Sequence, residues 1–181
     1  MRITLGGHIF VGPIWAIDKA REIGANHAVT LINPLEMRLV TTPAHIAAEN
    51  HLRLEMNDIA VATEGRILPA AHHIRALLDF LPRWAATSAA PLLIHCRAGL
   101  SRSPAAAFIA LCALNPNVEE RQLAQRLRDA CELVNPNPLI VELGDALLKR
   151  NGRMIAALER FADAGQHEEG VLFSIKSGSL F

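Results

Sequence analysis

Residues 91–104 read Pro91-Leu92-Leu93-Ile94-His95-Cys96-Arg97-Ala98-Gly99-Leu100-Ser101-Arg102-Ser103-Pro104. The first five residues form an apolar run that predicts a buried strand. A helix is expected to begin at or near Ser103, because Pro104 suits the first turn of a helix. The segment between them is short and contains Gly99, which permits backbone angles that a side chain forbids. The stretch therefore predicts a strand, a tight loop and a helix in immediate succession.

A loop at the start of a helix is suited to hold an anion. Successive backbone N–H groups in such a turn can point inward, and the positive end of the helix dipole faces the same space. Arg102 adds a planar set of donors that can grip two oxygens of a phosphate. Cys96 lies at the base of the loop, and helix N-termini and positive groups favour the thiolate form of a cysteine. The loop that binds phosphate is therefore expected to create a nucleophile as well.

The spacing of these residues resembles the signature of the cysteine-based protein tyrosine phosphatases. The pattern His95-Cys96, five residues, then Arg102-Ser103 looks most like the dual-specificity branch of that family. The resemblance implies that Cys96 attacks phosphorus to form a cysteinyl-phosphate and that Arg102 binds the phosphoryl oxygens. It also implies that Ser103 hydrogen-bonds the departing sulfur and that His95 positions the loop and tunes the thiol. The expected phosphate-binding residues are Arg97, Ala98, Gly99, Leu100, Ser101 and Arg102.

The leaving group of a phosphoester must be protonated, so a carboxylic acid is expected on a loop beside the anion site. Three aspartates precede the cysteine: Asp18, Asp58 and Asp79. Asp18 and Asp79 fall in predicted helices, whereas Asp58 follows a predicted strand. Most loop aspartates only cap a turn, yet the resemblance also implies a general acid on an upstream loop. We therefore assign Asp58 as the proton donor, with Glu55 and Glu64 as alternatives.

A second, less specific match lies in residues 134–138, which read Val134-Asn135-Pro136-Asn137-Pro138. They resemble the family's Pro-Asn segment, after which a helix packs under the loop, but Val-Asn stands where the family commonly has Arg-Pro. The resemblance implies that Asn137 hydrogen-bonds the loop backbone and holds it rigid. An ordinary Asn-Pro helix start explains the same residues equally well. Both interpretations stay open at this point.

Strands and helices alternate along the chain, which predicts an α/β fold with a mostly parallel central sheet flanked by helices. Strands are predicted over residues 3–5, 8–11, 27–32, 50–56 and 91–95, and helices over 14–23, 42–48, 69–84, 103–114, 118–131, 139–150 and 153–164. Ligands bind such sheets at the carboxyl ends of the strands, so Cys96 and Asp58 can converge. Residues 1–165 are expected to form one phosphatase catalytic domain. Residues 166–181 mix charge, glycine and serine, which is typical of a poorly ordered tail.

Composition limits the partners and the compartment. The 181 residues have a formal net charge of +0, which gives no basic footprint for nucleic acid. The three cysteines are an odd number at no metal-like spacing, so neither a disulfide framework nor a metal site is expected. No signal peptide, membrane span or cofactor motif is found. A reactive Cys96 needs a reducing compartment, so a cytoplasmic location is expected.

The predicted function is metal-independent hydrolysis of phosphomonoesters in a phosphorylated protein or a small phosphoester. One alternative is a related phosphatase with a non-protein substrate, such as a phosphoinositide or an RNA 5′ end. Phosphoinositide members of the family tend to carry lysines in the loop, and here Arg97 is the extra cation. A second alternative is a phosphate-binding module without turnover, and a third is sulfur transfer by a rhodanese-type loop.

Overall fold

The computed structural model describes residues 7–87 and 90–178. Within these ranges the strands are His8–Gly12 (β1), His27–Ile32 (β2), His51–Glu55 (β3), Leu92–His95 (β4) and Phe173–Lys176 (β5). The α-helices there are Pro34–Met37 (α1), Ala71–Thr87 (α2), Arg102–Leu114 (α3), Glu120–Ala130 (α4), Pro138–Leu147 (α5) and Arg153–Ala157 (α6). None of these helices is long and apolar enough to cross a membrane. The strand predicted at residues 3–5 lies outside the described ranges.

The strands form a single sheet in the order β3-β2-β4-β1-β5. Neighbouring strands among β1, β2, β3 and β4 are parallel, and β5 runs antiparallel to β1 at the edge. This arrangement confirms the predicted α/β fold with a mostly parallel sheet. Because β1 to β4 run in the same direction, the segments that follow them meet at one edge of the sheet. Cys96 follows β4 and Asp58 follows β3 at that edge.

Strand β4 is covered on both faces, and all four of its residues are buried. Leu92 and Ile94 belong to the large core formed with the helices α2 to α6. Leu93 faces a smaller core on the other side of the sheet, together with Ala16 and Ile46. An apolar run without alternation is expected for a strand buried on both faces. Helix α3 is buried from Arg102 to Cys112, so the loop joining β4 to α3 is held at both ends by the core.

Local secondary structure differs from the predictions in several places. Residues 14–23 form a 3₁₀ helix, Ile14–Lys19, followed by turns rather than an α-helix. The helix expected at residues 42–48 is replaced by turns and a short 3₁₀ helix, Ala48–Asn50. Helix α1 was not predicted, although the side chain of Asn33 caps it by accepting a hydrogen bond from the Glu36 N–H (3.0 Å).

Part of the expected tail belongs to the sheet. Phe173–Lys176 pair with β1 as the antiparallel edge strand β5. Phe173 and Ile175 are buried while Ser174 and Lys176 are exposed, which is the alternation of a half-buried strand. No strand was predicted in this segment. Burial of two large apolar side chains explains why this segment is held against the core.

Candidate active site

The loop between β4 and α3 directs its carbonyl groups outward, toward neighbouring parts of the fold. Four backbone hydrogen bonds hold it: Ile14 N–H to Arg97 O (3.0 Å), Gly170 N–H to Ala98 O (2.8 Å), Asn135 N–H to Leu100 O (2.7 Å) and Asn137 N–H to Ser101 O (3.2 Å). A peptide whose carbonyl group points outward directs the N–H group on its other side inward. The loop therefore has the geometry of an anion-binding nest of amides.

Gly99 is required in this loop for two reasons. Its φ angle is +75°, a left-handed conformation that side chains disfavour. A Cβ atom at this position would lie 2.6 Å from the backbone of Gly12 and Pro13 at the end of β1. The glycine thus lets the loop pack directly on β1 and points its own N–H group at the sulfur of Cys96.

The Cys96 side chain is buried at the margin of the large core, and its sulfur is hydrogen-bonded within the loop. Its Sγ accepts hydrogen bonds from the Gly99 N–H group (3.2 Å) and from the Ser103 hydroxyl group (3.2 Å). Ser103 lies in the first turn of α3, so the positive end of that helix faces the same sulfur. Donors from the loop and from the first turn of α3 therefore converge on this one sulfur atom.

Arg102 is buried, with 5% of its surface exposed, and faces the same loop. Its Nη1 donates to the carbonyl oxygen of Met56 (2.8 Å), which fixes one end of the guanidinium group. Its Nε lies 3.7 Å from Asp58 Oδ2 and has no hydrogen-bond partner among the described residues. A buried donor without a partner is costly unless it serves a ligand. A phosphate oxygen would satisfy it.

Asp58 lies against the loop between β4 and α3. Its Oδ1 accepts hydrogen bonds from the Ser101 hydroxyl group (2.8 Å) and from Asn137 Nδ2 (2.8 Å). Its side chain is 36% exposed, so it can also contact a bound ester. The two alternatives, Glu55 and Glu64, are both exposed. Within the described residues, no hydrogen bond joins either carboxylate to the loop. Among these three carboxylates, that of Asp58 is the one bound to the loop.

Asn137 both starts a helix and contacts the loop, which are the two interpretations that the sequence left open. Its side-chain Oδ1 accepts the Ile140 N–H group (3.1 Å) and so caps helix α5. The expected contact with the loop backbone exists, but it is made by the Asn137 backbone N–H group, which donates to Ser101. The side-chain Nδ2 instead binds Asp58 and the carbonyl oxygen of Ile59 (3.3 Å). Asn137 therefore contacts both the loop and the Asp58 carboxylate.

Comparisons with known proteins agree with this geometry at the level of the fold. No family model matches the sequence, and the search of curated proteins gives no match. The structure superimposes on that of the human tyrosine phosphatase-like serine/threonine/tyrosine-interacting protein with a TM-score of 0.62 at 18% identity, covering 83% of this chain and 95% of that chain. It superimposes on DUSP15 with a TM-score of 0.58 at 17% identity, covering 91% and 97% respectively. The chain has the fold of the dual-specificity and tyrosine phosphatases. A third phosphatase-fold neighbour is PTPMT1 in complex with PI(5)P, with a TM-score of 0.59 at 16% identity over 83% of this chain and 94% of that chain.

A second layer of polar residues lies behind the loop of this phosphatase fold, and sequence reasoning missed it. His95 is fully buried, and its Nε2 lies 2.7 Å from the hydroxyl oxygen of Thr30 on β2. The same hydroxyl oxygen lies 2.7 Å from Nε2 of His51 on β3. Thr30 sits within an apolar run and His51 within an alternating one, so neither stands out in the sequence. Only the strand register brings them to His95.

An ion pair and a groove border the loop on its outer surface. Arg97 contributes its backbone to the loop, but its side chain points outward to an ion pair with Glu36 (3.1 Å). On the other side a groove of about 330 Å³ adjoins the loop, lined by Leu100, Ser101, Leu133, Asn135, Gly165, Gln166 and His167. A bulky group attached to a bound phosphate therefore has room beside Ser101.

Proposed function

We propose that the protein is a cysteine-dependent phosphomonoester hydrolase that acts without a metal on phosphotyrosine, phosphoserine or phosphothreonine side chains. The observation that supports this most directly is the environment of Cys96. Its sulfur accepts two hydrogen bonds inside a loop of inward amides, and the carboxylate of Asp58 is bound to the same loop. A nucleophile, an anion site and an acid thus lie within one constellation.

In the first step the Cys96 thiolate attacks phosphorus, and the bond between phosphorus and the ester oxygen breaks. Asp58 donates its proton to that departing oxygen. Oδ2 is the atom suited to carry the proton, because Oδ1 already accepts two hydrogen bonds.

In the second step water attacks phosphorus, its proton passes to the Asp58 carboxylate, and the bond between phosphorus and sulfur breaks. The thiolate is released into the hydrogen bonds of Gly99 and Ser103. The Ser103 hydroxyl group also lies 3.4 Å from the carbonyl oxygen of Gly12. It can therefore donate to that carbonyl while sulfur is bound to phosphorus, and return to sulfur as the negative charge develops.

The decisive experiment compares wild type with Cys96→Ser on p-nitrophenyl phosphate. We expect the variant to lose hydrolysis completely while it still binds vanadate or phosphate, because Arg102 and the loop amides are unchanged. A cysteinyl-phosphate should be trapped from wild type by rapid acid quenching. Full activity in Cys96→Ser would refute the assignment of the nucleophile. Wild type that binds phosphate without any turnover would instead identify a binding module.

The proposal also requires that chelators leave activity unchanged, since side chains supply both the nucleophile and the acid. Within the described residues no group of three or more histidine, cysteine, aspartate or glutamate side chains could hold a metal ion. Activity in the presence of excess EDTA, measured against an untreated sample, checks this requirement. Loss of activity that a divalent cation restores would contradict the mechanism.

A second candidate substrate is a phosphorylated lipid, and the distribution of exposed apolar side chains favours it. The large apolar side chains exposed in the described residues are Trp15, Leu35, Leu39, Val61, Ile67, Ile155 and Val171. All except Ile155 follow β1, β2 or β3, or precede the antiparallel β5, in segments that leave or enter the sheet at the edge that holds the loop. Several are next in sequence to a residue that bonds to the loop: Trp15 follows Ile14, Leu35 precedes Glu36, and Val171 follows Gly170. An apolar rim around an anion site suits a phosphate attached to hydrocarbon.

The two candidates are separated by comparing kcat/KM for a phosphotyrosine peptide with that for a phosphoinositide in detergent micelles. If the lipid is the substrate, the double variant Leu35→Ser/Leu39→Ser should lower activity on micelles without changing activity on p-nitrophenyl phosphate. Ile155→Ser is the matched control, because Ile155 is exposed on α6, away from the loop. If the double variant and Ile155→Ser are equally active on micelles, and wild type prefers the peptide, the lipid is rejected as the substrate.

A further inference from the structure

Four side chains form a hydrogen-bonded row behind the nucleophile loop, on the face of the sheet opposite the large core. Thr30 and His95 are direct partners in the register of β2 and β4, and His51 lies on β3 beside them. The Thr30 hydroxyl oxygen is 2.7 Å from both His95 Nε2 and His51 Nε2, and His51 Nδ1 is 2.8 Å from the Thr42 hydroxyl oxygen. Thr30 and His95 are fully buried, His51 is 6% exposed, and Thr42 is half-buried. We call these four residues the Thr–His chain.

Both imidazoles of the Thr–His chain are neutral at neutral pH. Burial, and then the nearby His51, lower the pKa of His95 to about 3, with Arg53 contributing further and the Cys96 backbone opposing the shift. Burial and the charge of Arg53 lower the pKa of His51 to about 4. Each neutral imidazole has one N–H donor and one bare nitrogen acceptor. The proton positions along the chain are therefore linked to one another.

The single proton of the Thr30 hydroxyl group allows only two arrangements. It donates to one imidazole, so the other imidazole must donate to it. If His95 carries its proton on Nδ1, Thr30 donates to His95 Nε2, His51 Nε2–H donates to Thr30, and Thr42 donates to His51 Nδ1. In the opposite arrangement every donor is reversed, and the bare Nδ1 of His95 is left buried.

The surroundings of His95 Nδ1 choose between these arrangements. This atom is buried and makes no hydrogen bond of normal geometry with the described residues. The Cys96 backbone interacts with the His95 ring and favours its protonated form. Since Nε2 is already engaged by Thr30, we infer that Nδ1 is the ring atom that faces this backbone. An N–H group at Nδ1 is therefore stabilised, whereas a bare nitrogen would meet no donor.

We propose that Thr30 and His51 are positioning residues for the nucleophile: they hold His95 in the tautomer with its proton on Nδ1, directed at the Cys96 peptide. The proposal rests on the assignment of Cys96 as the nucleophile. The fixed ring sets the orientation of the peptide from which the sulfur emerges, and it adds a donated N–H at the base of the loop. The titratable or charged groups that face His95 are Cys96, His51 and Arg53, and Arg53 is itself held by the carbonyl oxygens of Val40 (2.8 Å) and Met37 (2.7 Å).

The tautomers can be read directly in the wild-type protein, without any substitution. Long-range proton–nitrogen NMR spectra of the imidazole rings distinguish Nδ1–H from Nε2–H. We expect Nδ1–H for His95 and Nε2–H for His51, with both rings uncharged at neutral pH. The variant His51→Gln lacks one of the two rings, so the signals that disappear in it belong to His51. A His95 ring that carries its proton on Nε2 would overturn the proposal whatever the enzyme's activity.

The functional consequence is tested by Thr30→Val, which keeps the shape of the side chain and removes the hydroxyl group. His95 and His51 then each lose a buried hydrogen bond. We expect the rate of Cys96 alkylation by iodoacetate at neutral pH to fall about tenfold as a result. The pH midpoint of alkylation should move upward, and Thr30→Ser should restore both values. At the outer end, Thr42→Val should have a smaller effect in the same direction, and the adjacent exposed Thr41→Val serves as its matched control.

These measurements separate this proposal from the proposed function. Alkylation and NMR need no turnover, so a wild type without phosphatase activity but with the expected tautomers would refute only the proposed function. If Thr30→Val lowers the thermal unfolding midpoint but alkylates with the wild-type pH profile, the Thr–His chain is purely structural and the positioning role is wrong. If the variant does not fold, the wild-type tautomers decide the question alone.

Discussion

Asn137 offers a substitution that separates stability from catalysis, because its two side-chain atoms do different work. Oδ1 caps helix α5 at Ile140, and Nδ2 donates to the carboxylate of Asp58 at 2.8 Å. Serine is as good a helix cap as asparagine, but it lacks the amide donor. Asn137→Ser should therefore keep the cap and lose the hold on the acid. Asn137→Ala should lose both.

The expected magnitudes follow from these contacts. Loss of an N-cap costs about 1 kcal/mol of unfolding free energy, which corresponds to a fall of about 2–4 °C in Tm for a domain of this size. A hydrogen bond to a charged group contributes about 1.5–3 kcal/mol. Because Asp58 is 36% exposed, we discount this to about 1 kcal/mol, or roughly a fivefold loss in the step that needs the acid.

The assay is steady-state hydrolysis of phenyl phosphate, a poor leaving group, against p-nitrophenyl phosphate, a good one. Asn137→Ser should lower kcat/KM about fivefold on the first and much less on the second, with Tm unchanged. Asn137→Ala should show the same kinetic loss together with a lower Tm. In an Asp58→Asn background, where no acid remains to be held, Asn137→Ser should have no further effect. Equal losses on both esters, or full additivity of the two substitutions, would refute the reasoning.

Three further predictions concern the loop, the remaining thiols and the buried ion pairs. Gly99→Ala should abolish hydrolysis and lower Tm, because the backbone angle alone costs about 1–2 kcal/mol and the added Cβ meets the end of β1; retained activity would contradict the loop geometry. Burial raises the pKa of the Cys112 thiol to about 12, so mass spectrometry of native protein alkylated at neutral pH should find Cys96 labelled and Cys112 unlabelled until denaturant is added. Burial acts to raise the pKa of Glu120, but the hydrogen bond and charge of Arg153 and the charge of Arg150 lower it. Glu120→Gln should therefore destabilise the protein at neutral pH, and its difference from wild type in chemical unfolding should shrink below about pH 4 as the wild-type carboxylate takes up its proton; a difference independent of pH would contradict this.

The contacts around the sulfur were predictable from the sequence because they are local. Cys96, Gly99 and Ser103 lie within eight consecutive positions, and a strand, a turn and a helix start leave little freedom over that length. The position of Asp58 was predictable more coarsely, since parallel strands β3 and β4 place the residues after them at one edge. The hydrogen bonds that dock Asp58 on the loop could not be predicted, because they depend on how residues 56–59 turn after β3.

The partners contributed by distant segments could not be predicted from residue types. Asn137 was expected to bind the loop backbone, which its backbone N–H group does at Ser101, but no residue pattern indicated that its side chain binds Asp58. Thr30 and His51 are placed beside His95 by the register of three strands that lie far apart in the sequence. In β5 the alternation of apolar and polar residues covers only four positions and follows a polar segment. It is therefore too short to predict a strand from the sequence.

The docking of Asp58 leads to a final prediction about small substrates. Its carboxylate is held by Ser101 and Asn137, both groups of the protein itself, so its place over the loop does not depend on contacts with a large substrate. The acid should therefore assist a small ester as fully as a peptide. We expect Asp58→Asn to lower kcat by the same factor, about a hundredfold or more, on phenyl phosphate and on a phosphotyrosine peptide of similar leaving-group pKa. A loss confined to the peptide would show that substrate binding, rather than the protein's own hydrogen bonds, brings the acid into position.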